Sequence, residues 1–304
     1  MPTRPIARTT APLLVTGMPR SGTTWLARLL SSAQGAALTG REPMNPRGRQ
    51  YALGGTLPGW SRLHAPTFRQ RFALRSSYLG INPLVYSRYG HNQLLAAAPW
   101  SRLIVKDPFA MLSLPAIHRT TSADAVLLYR HPGAALASYR RMGWTPDVEE
   151  LQPLVTEFLA GTHEFVGLPS APTDARDEVS TMAWFWNCLY AIALHDATEL
   201  GSHVLILAHE DVAGGGPEFV RALFSRLGLR WSAAAAGELT RAGGGHVDRT
   251  ALHNFDRNPA RVAHEWANSI STDERTRLEA ATSRIHEELR ARSFTAHPRP
   301  ESAE

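Results

Sequence analysis

Four short apolar runs punctuate the chain: LLVTG at 13–17, RLIVKDP at 102–108, AVLLYRHP at 125–132 and HVLILAHED at 203–211. Each is continuous rather than alternating and ends in polar or turn-forming residues, as strands buried on both faces do. Helical spacing fills the intervals. TTWLARLLSS opens directly after the first run, with Trp25, Leu26, Leu29 and Leu30 as its apolar stripe. GAALASYRRM follows the third run, and DEVSTMAWFWNCLYAIALHDATEL is long and apolar enough to pass through the core. PEFVRALFSRLGL starts at Pro217 and stops at Gly228, the residues preferred at those two ends. Ser271-Thr-Asp-Glu274 is a capping box ahead of Leu278, Ile285 and Leu289. The pattern predicts one α/β domain, a central parallel sheet flanked by helices, over about residues 12–290 of 304. Such sheets bind ligands at the carboxyl ends of their strands, so Arg20, Lys106, Arg130 and Glu210 are expected to converge there.

Two segments lie outside this scaffold. Residues 43–100 are rich in aromatic side chains and arginine, and residues 161–179 in small and turn-forming residues. Insertions at the ligand end of a sheet shape or cover the acceptor pocket, which is the expectation for both. Hydrophobic content of 43% and charged content of 19% fit a globular protein, and no run approaches the length of a membrane span. The basic N-terminus passes directly into the first strand, so it is not read as a cleaved signal, and a cytoplasmic location is the expectation. The net charge of +5 mildly favours anionic ligands but is too dispersed to argue for nucleic acid. Cys188, the one cysteine, excludes an internal disulfide or cysteine metal cluster, and its apolar surroundings read as a buried thiol. Trp184 and Trp186 of the same helix read as core.

The chemistry begins at residues 13–26, LLVTGMPRSGTTWL. A strand, a glycine turn and a helix N-terminus hold anions through backbone N–H groups and the helix dipole. Arg20 adds a fixed charge, and Ser21, Thr23 and Thr24 add hydroxyl donors. A triphosphate loop needs lysine directly after its second glycine, where Thr23 follows Gly22. No carboxylate on a neighbouring strand is evident to hold Mg²⁺. A second basic element, AVLLYRHPGAALASYRRM, places Arg130 at a strand end and Ser138 eight residues later on the following helix. A guanidinium plus a hydroxyl at such a junction makes a second phosphate clamp.

Together these elements resemble the sulfotransferases that use 3′-phosphoadenosine 5′-phosphosulfate (PAPS). GMPRSGTTWL looks like their 5′-phosphosulfate loop, and LLYRHPGAALASY like their 3′-phosphate element. The order of parts matches over roughly residues 12–270. The resemblance implies a single α/β domain, PAPS as co-substrate and no metal requirement. It puts Arg20, Ser21, Gly22, Thr23, Thr24 and Trp25 on the phosphosulfate, Trp25 also on the adenine, and Arg130 and Ser138 on the 3′-phosphate. A C-terminal nucleotide contact of the family has a loose counterpart in Arg257. The chain departs from the cytosolic hormone and phenol enzymes in having Arg20 for their lysine, and Lys106-Asp107-Pro108 for their Lys-Thr-His. It is closer to the tyrosylprotein and bacterial carbohydrate branch, whose glutamate base falls within about one residue of Glu42.

Transfer of SO₃ to a hydroxyl builds charge on the departing phosphate and needs a base. Glu42 is expected as the base with Asp107 as runner-up, Arg20 as the charge stabiliser, and Lys106 as an aid in orienting the sulfonate. His131 reads as a nucleotide-side or packing residue. The expected acceptor is a small molecule, a carbohydrate or a lipid. The same strand-loop-helix could serve a metal-dependent nucleotide or small-molecule kinase. A catalytically silent nucleotide-binding scaffold is the other alternative.

Overall fold

The structure is a computed structural model that describes residues 11–46, 52–53, 55–162, 168, 170–174, 176–241 and 265–296. Its sheet holds β1 (Leu13–Thr16), β2 (Ala36–Gly40), β3 (Tyr86–His91), β4 (Arg102–Lys106), β5 (Asp124–Tyr129) and β6 (Val204–Ala208). Their spatial order is β3-β2-β4-β1-β5-β6, parallel throughout except for β3, which runs antiparallel along β2 at one edge. The four apolar runs become β1, β4, β5 and β6. β2 and β3 are additional, and β3 brings part of the 43–100 segment into the sheet.

Alternation along the strands divides the core. Leu14, Val105, Leu127 and Ile206 face one layer. That layer holds α3 (Leu114–Thr121), α4 (Pro132–Met142), α5 (Val148–Gly161), α6 (Glu178–Leu200) and the C-terminal helix Thr272–Arg292. Leu13, Val15, Ile104, Val126 and Leu207 face the other, with α1 (Thr23–Ser31) and α8 (Gly216–Arg226). Trp184, Trp186 and Cys188 are buried, and burial raises the Cys188 thiol. The capping box at Ser271 and Glu274 forms, and Gly228 ends α8 with φ +68°.

The insertion is tied to this frame by the buried pair Arg62–Asp196, 2.5 Å apart, and by α2 (Phe68–Tyr78) packing on α3. Asp196 lies on α6, so the insertion is anchored through the central helix rather than suspended from its own ends. Of the 161–179 loop, residues 163–167, 169 and 175 lie outside the described residues.

Candidate active site

Strand register decides which side chains meet. Val15 of β1 pairs with Val126 of β5 on one side and with Lys106 of β4 on the other. The segments leaving β1 and β5 therefore emerge side by side, and β6 adds a third, since Tyr129 pairs with Ala208. β2 runs beside β4, with Leu38 opposite Ile104, so the chain leaving β2 emerges next to Lys106.

The loop after β1 holds its shape through backbone demands. Gly17 (φ +146°) has no room for a Cβ against the Leu128 carbonyl oxygen, nor Gly22 (φ +98°) against the His209 ring. Arg20 also has a positive φ, 72°, which is costly for a residue with a Cβ. Gly22 is the N-cap of α1, no side chain caps that end, and no acidic residue lies in its first turn. The first-turn N–H groups thus keep their capacity for an outside anion. Tyr190 of α6 fixes the loop from below. Its hydroxyl accepts from the Met18 N–H (3.3 Å) and donates to the Leu128 carbonyl (3.0 Å).

Arg20, Arg130 and Ser138 come together. Arg20 Nε donates to Ser138 Oγ (3.2 Å), Arg130 Nη1 donates to the Arg20 carbonyl (3.3 Å), and the Arg20 guanidinium lies 5.6 Å from the Trp144 ring. Ser138 sits on α4 and Arg130 at the end of β5, both buried. Trp186 Nε1 donates to the Arg130 carbonyl (3.1 Å), so a core tryptophan sets the backbone at this arginine. Burial lowers the Arg130 guanidinium to about 10, with Arg141 and Arg20 adding to the shift and Glu210 opposing it. It remains charged at neutral pH. Glu210 accepts from the His131 N–H (3.0 Å) through Oε1.

Sequence reasoning did not single out His209. This first residue of α7 (His209–Gly214) is buried against Gly22 and lies edge-on to Trp25 with ring centroids 5.9 Å apart. Burial, then the Arg130 charge, lowers its imidazole to about 3, so it is neutral. Neither His209 Nδ1 nor Trp25 Nε1, both buried, has a hydrogen-bond partner among the described residues. The only signal in the sequence was its position, directly after the fourth apolar run. His131, by contrast, stacks on Trp266 at 4.3 Å and accepts from the Gly133 N–H as the cap of α4, a packing role. Thr23 is buried at the start of α1, Ser21 is buried in the loop, and Thr24 is partly exposed. Arg257 lies outside the described residues.

The second half of the site lies at β2 and β4. The Glu42 carboxylate pairs with Lys106 Nζ and accepts from Asn45 Nδ2. Asp107 is fully buried, with Oδ2 accepting from the Met44 N–H (2.5 Å) and Oδ1 from the Phe109 N–H (3.1 Å). It therefore clamps the turn that carries Glu42. Its own backbone is held to β1, where Thr16 Oγ1 donates to the Asp107 carbonyl (2.7 Å).

Burial first, then the Glu42 charge, raises Asp107 from 3.8 to about 8. The raised value means that the native state holds a proton which the unfolded chain releases near 3.8. Stability from this group is full below that pH and is lost as pH rises towards 8. Asp107→Asn is therefore expected to flatten the decline in melting temperature between pH 5 and pH 8, at a lower absolute stability in acid. An unchanged slope would contradict this protonation.

A model of the sulfotransferase family matches residues 12–233. No curated protein matches the chain. The sulfotransferase domain from the curacin biosynthetic pathway superposes with a TM-score of 0.53 at 15% identity, covering 93% of this chain and 99% of that one. At that identity the likeness bears on fold alone. A mouse sulfotransferase, SULT7A1, complexed with PAP gives a TM-score of 0.41 at 11% identity (93% and 89% covered). Sulfotransferase STF1 from Mycobacterium tuberculosis H37Rv gives 0.38 at 19% identity (85% and 76% covered). Most of the chain, including the β1 loop, the Glu42 turn and the Arg130 element, lies within the matched model, and the chain belongs to the sulfotransferase family.

Proposed function

We propose that this chain transfers a sulfuryl group from PAPS to an acceptor hydroxyl, with Glu42 as base. The observation that carries the reading is the meeting of Arg20, Arg130 and Ser138 beside the uncapped N-terminus of α1. Two like charges near enough to perturb each other, Arg130 buried and Arg20 half-buried, favour an anion between them. Two phosphate-gripping elements, one at each of two adjacent strand ends, suit a nucleotide that carries phosphate at both 5′ and 3′ positions. The buried, unbonded Trp25 Nε1 offers a further donor on the same side.

In this reading the β1 loop N–H groups and Arg20 stabilise the charge that grows on the departing phosphate oxygen. Arg130 and Ser138 hold the 3′-phosphate. The Glu42 carboxylate, at 16% side-chain exposure, can reach an incoming hydroxyl, whereas Asp107 is fully enclosed with both oxygens already engaged. Asp107 is thus assigned to positioning and Glu42 to proton abstraction. Each Glu42 oxygen has a lone pair left after bonding Lys106 or Asn45, so the pairing orients the base without blocking it.

The donor is tested by thermal shift. Adenosine 3′,5′-bisphosphate is expected to raise the melting temperature well above AMP or ATP-Mg, since a ligand at a hundredfold excess over Kd stabilises by about 2.7 kcal/mol. Equal shifts for AMP and the bisphosphate would remove the 3′-phosphate clamp.

A further inference from the structure

The segment between Glu42 and Asp107 contains no Asp or Glu, although the chain carries 27 acidic residues in 304. It contains arginines throughout, and large apolar side chains project from it. Phe68 is 76% exposed, Phe72 67%, Leu94 86% and Trp100 72%. Phe68 and Phe72 of α2 and its C-cap residue Leu79 lie within one narrow face by helical spacing, with Arg71 and Arg75 on the same side. Leu79 and Ile81 flank Gly80, which touches Ala96 so closely that no Cβ fits between them. The α2 end is thereby brought against the turn that carries Leu94 and Leu95. Tyr86 Oη donates to the Gly80 carbonyl (2.6 Å), which binds the start of β3 to the same cluster. None of Arg69, Arg71, Arg75 or Arg88 is in an ion pair among the described residues.

We infer that this face docks the enzyme onto an anionic lipid surface. A protein interface is also rich in aromatic residues and arginine, but it packs its apolar core in complementary relief at the density of an interior. Here the apolar side chains protrude from a helix and two turns, and the segment that carries them has charge of a single sign. A fluid bilayer with anionic headgroups suits that combination. Aromatic and aliphatic tips enter the headgroup boundary while arginines meet phosphate.

The face adjoins the proposed base directly. The Arg41 N–H donates to the Val85 carbonyl (2.9 Å), and Arg41 Nη1 donates to the Leu84 carbonyl (3.2 Å). Arg41 precedes Glu42, so docking would bring the catalytic turn close to the membrane, where the acceptor is an amphiphile that presents its hydroxyl at the headgroup level. That consequence for the acceptor rests on the sulfuryl-transfer reading, while the docking itself does not.

Flotation with phosphatidylcholine vesicles, with and without phosphatidylglycerol, tests it on the full chain. Wild type is expected to float with the mixed vesicles, to stay behind with neutral ones, and to detach in high salt. Phe72→Ser with Leu94→Ser is expected to weaken binding by about tenfold or more. Arg71→Glu with Arg75→Glu is expected to weaken it by about fivefold or more per arginine. These positions are exposed, so both variants should keep the wild-type melting temperature and bisphosphate response, which separates loss of docking from loss of the nucleotide site. Failure to float with anionic vesicles overturns the proposal. So does concentration-dependent dimerisation abolished by Phe72→Ser with Leu94→Ser, which would give the face to a second copy. Binding to polyglutamate but not to vesicles would give it to an acidic protein and overturns the proposal equally.

Discussion

Glu42→Gln is expected to lower kcat about 10²- to 10⁴-fold, the usual contribution of a positioned general base. The bisphosphate-induced thermal shift should be unchanged, because Glu42 sits at the β2 and β4 ends while the proposed nucleotide contacts sit at β1 and β5. The glutamine keeps one oxygen, which accepts from either Lys106 or Asn45, so the turn at residues 42–45 retains one of its two anchors. Asp107 still clamps the Met44 N–H. A loss of kcat with intact nucleotide response would therefore report chemistry rather than misfolding. Unchanged turnover would remove Glu42 as base. With Asp107 enclosed, no other carboxylate identified in this half of the site could then replace it.

Arg130→Ala addresses the other half. A hydrogen bond to a charged group contributes roughly 1.5–3 kcal/mol, so affinity for adenosine 3′,5′-bisphosphate should fall about 10- to 150-fold. Affinity for AMP should change little, because only the 3′-phosphate is assigned to this arginine. The difference between the two ligands, measured by titration calorimetry, is the informative quantity. The backbone should hold, since Trp186 bonds the carbonyl of residue 130 and not its side chain. Burial already raises Glu210, which would become easier to protonate once the opposing Arg130 charge is gone. An equal loss for both nucleotides would indicate a collapsed pocket rather than a missing clamp. Arg130→Lys keeps the charge and loses the planar fork, and should fall between wild type and alanine.

Much of this was legible in the sequence because burial leaves a strong pattern. β1, β4, β5 and β6 are covered on both faces and read as continuous apolar runs, and their ends name Arg20, Lys106, Arg130 and Glu210. β2 was not legible. Ala-Ala-Leu-Thr-Gly is buried, yet its small side chains give neither a branched apolar run nor alternation. β3, Tyr-Ser-Arg-Tyr-Gly-His, is an edge strand with no buried residue, so burial imposes no pattern on it. The pairing of Glu42 with Lys106 followed from the same gap. It needs β2 beside β4, a neighbour relation that no local pattern encodes. His209 stayed hidden for a different reason, since its place against Gly22 comes from tertiary packing between α1 and the β6 end. The exposed apolar side chains of the insertion were visible as residues, but sequence alone could not say which of them the fold leaves uncovered.

Sulfuryl transfer itself is the most direct test. PAPS labelled with ³⁵S, incubated with the wild-type chain and fractionated small-molecule and lipid extracts, should yield a labelled acceptor together with an equal amount of adenosine 3′,5′-bisphosphate. Glu42→Gln should leave the label in PAPS. Absence of labelled acceptor from every fraction, with the bisphosphate still binding, would contradict the proposed activity and reduce the chain to a nucleotide-binding member of its family.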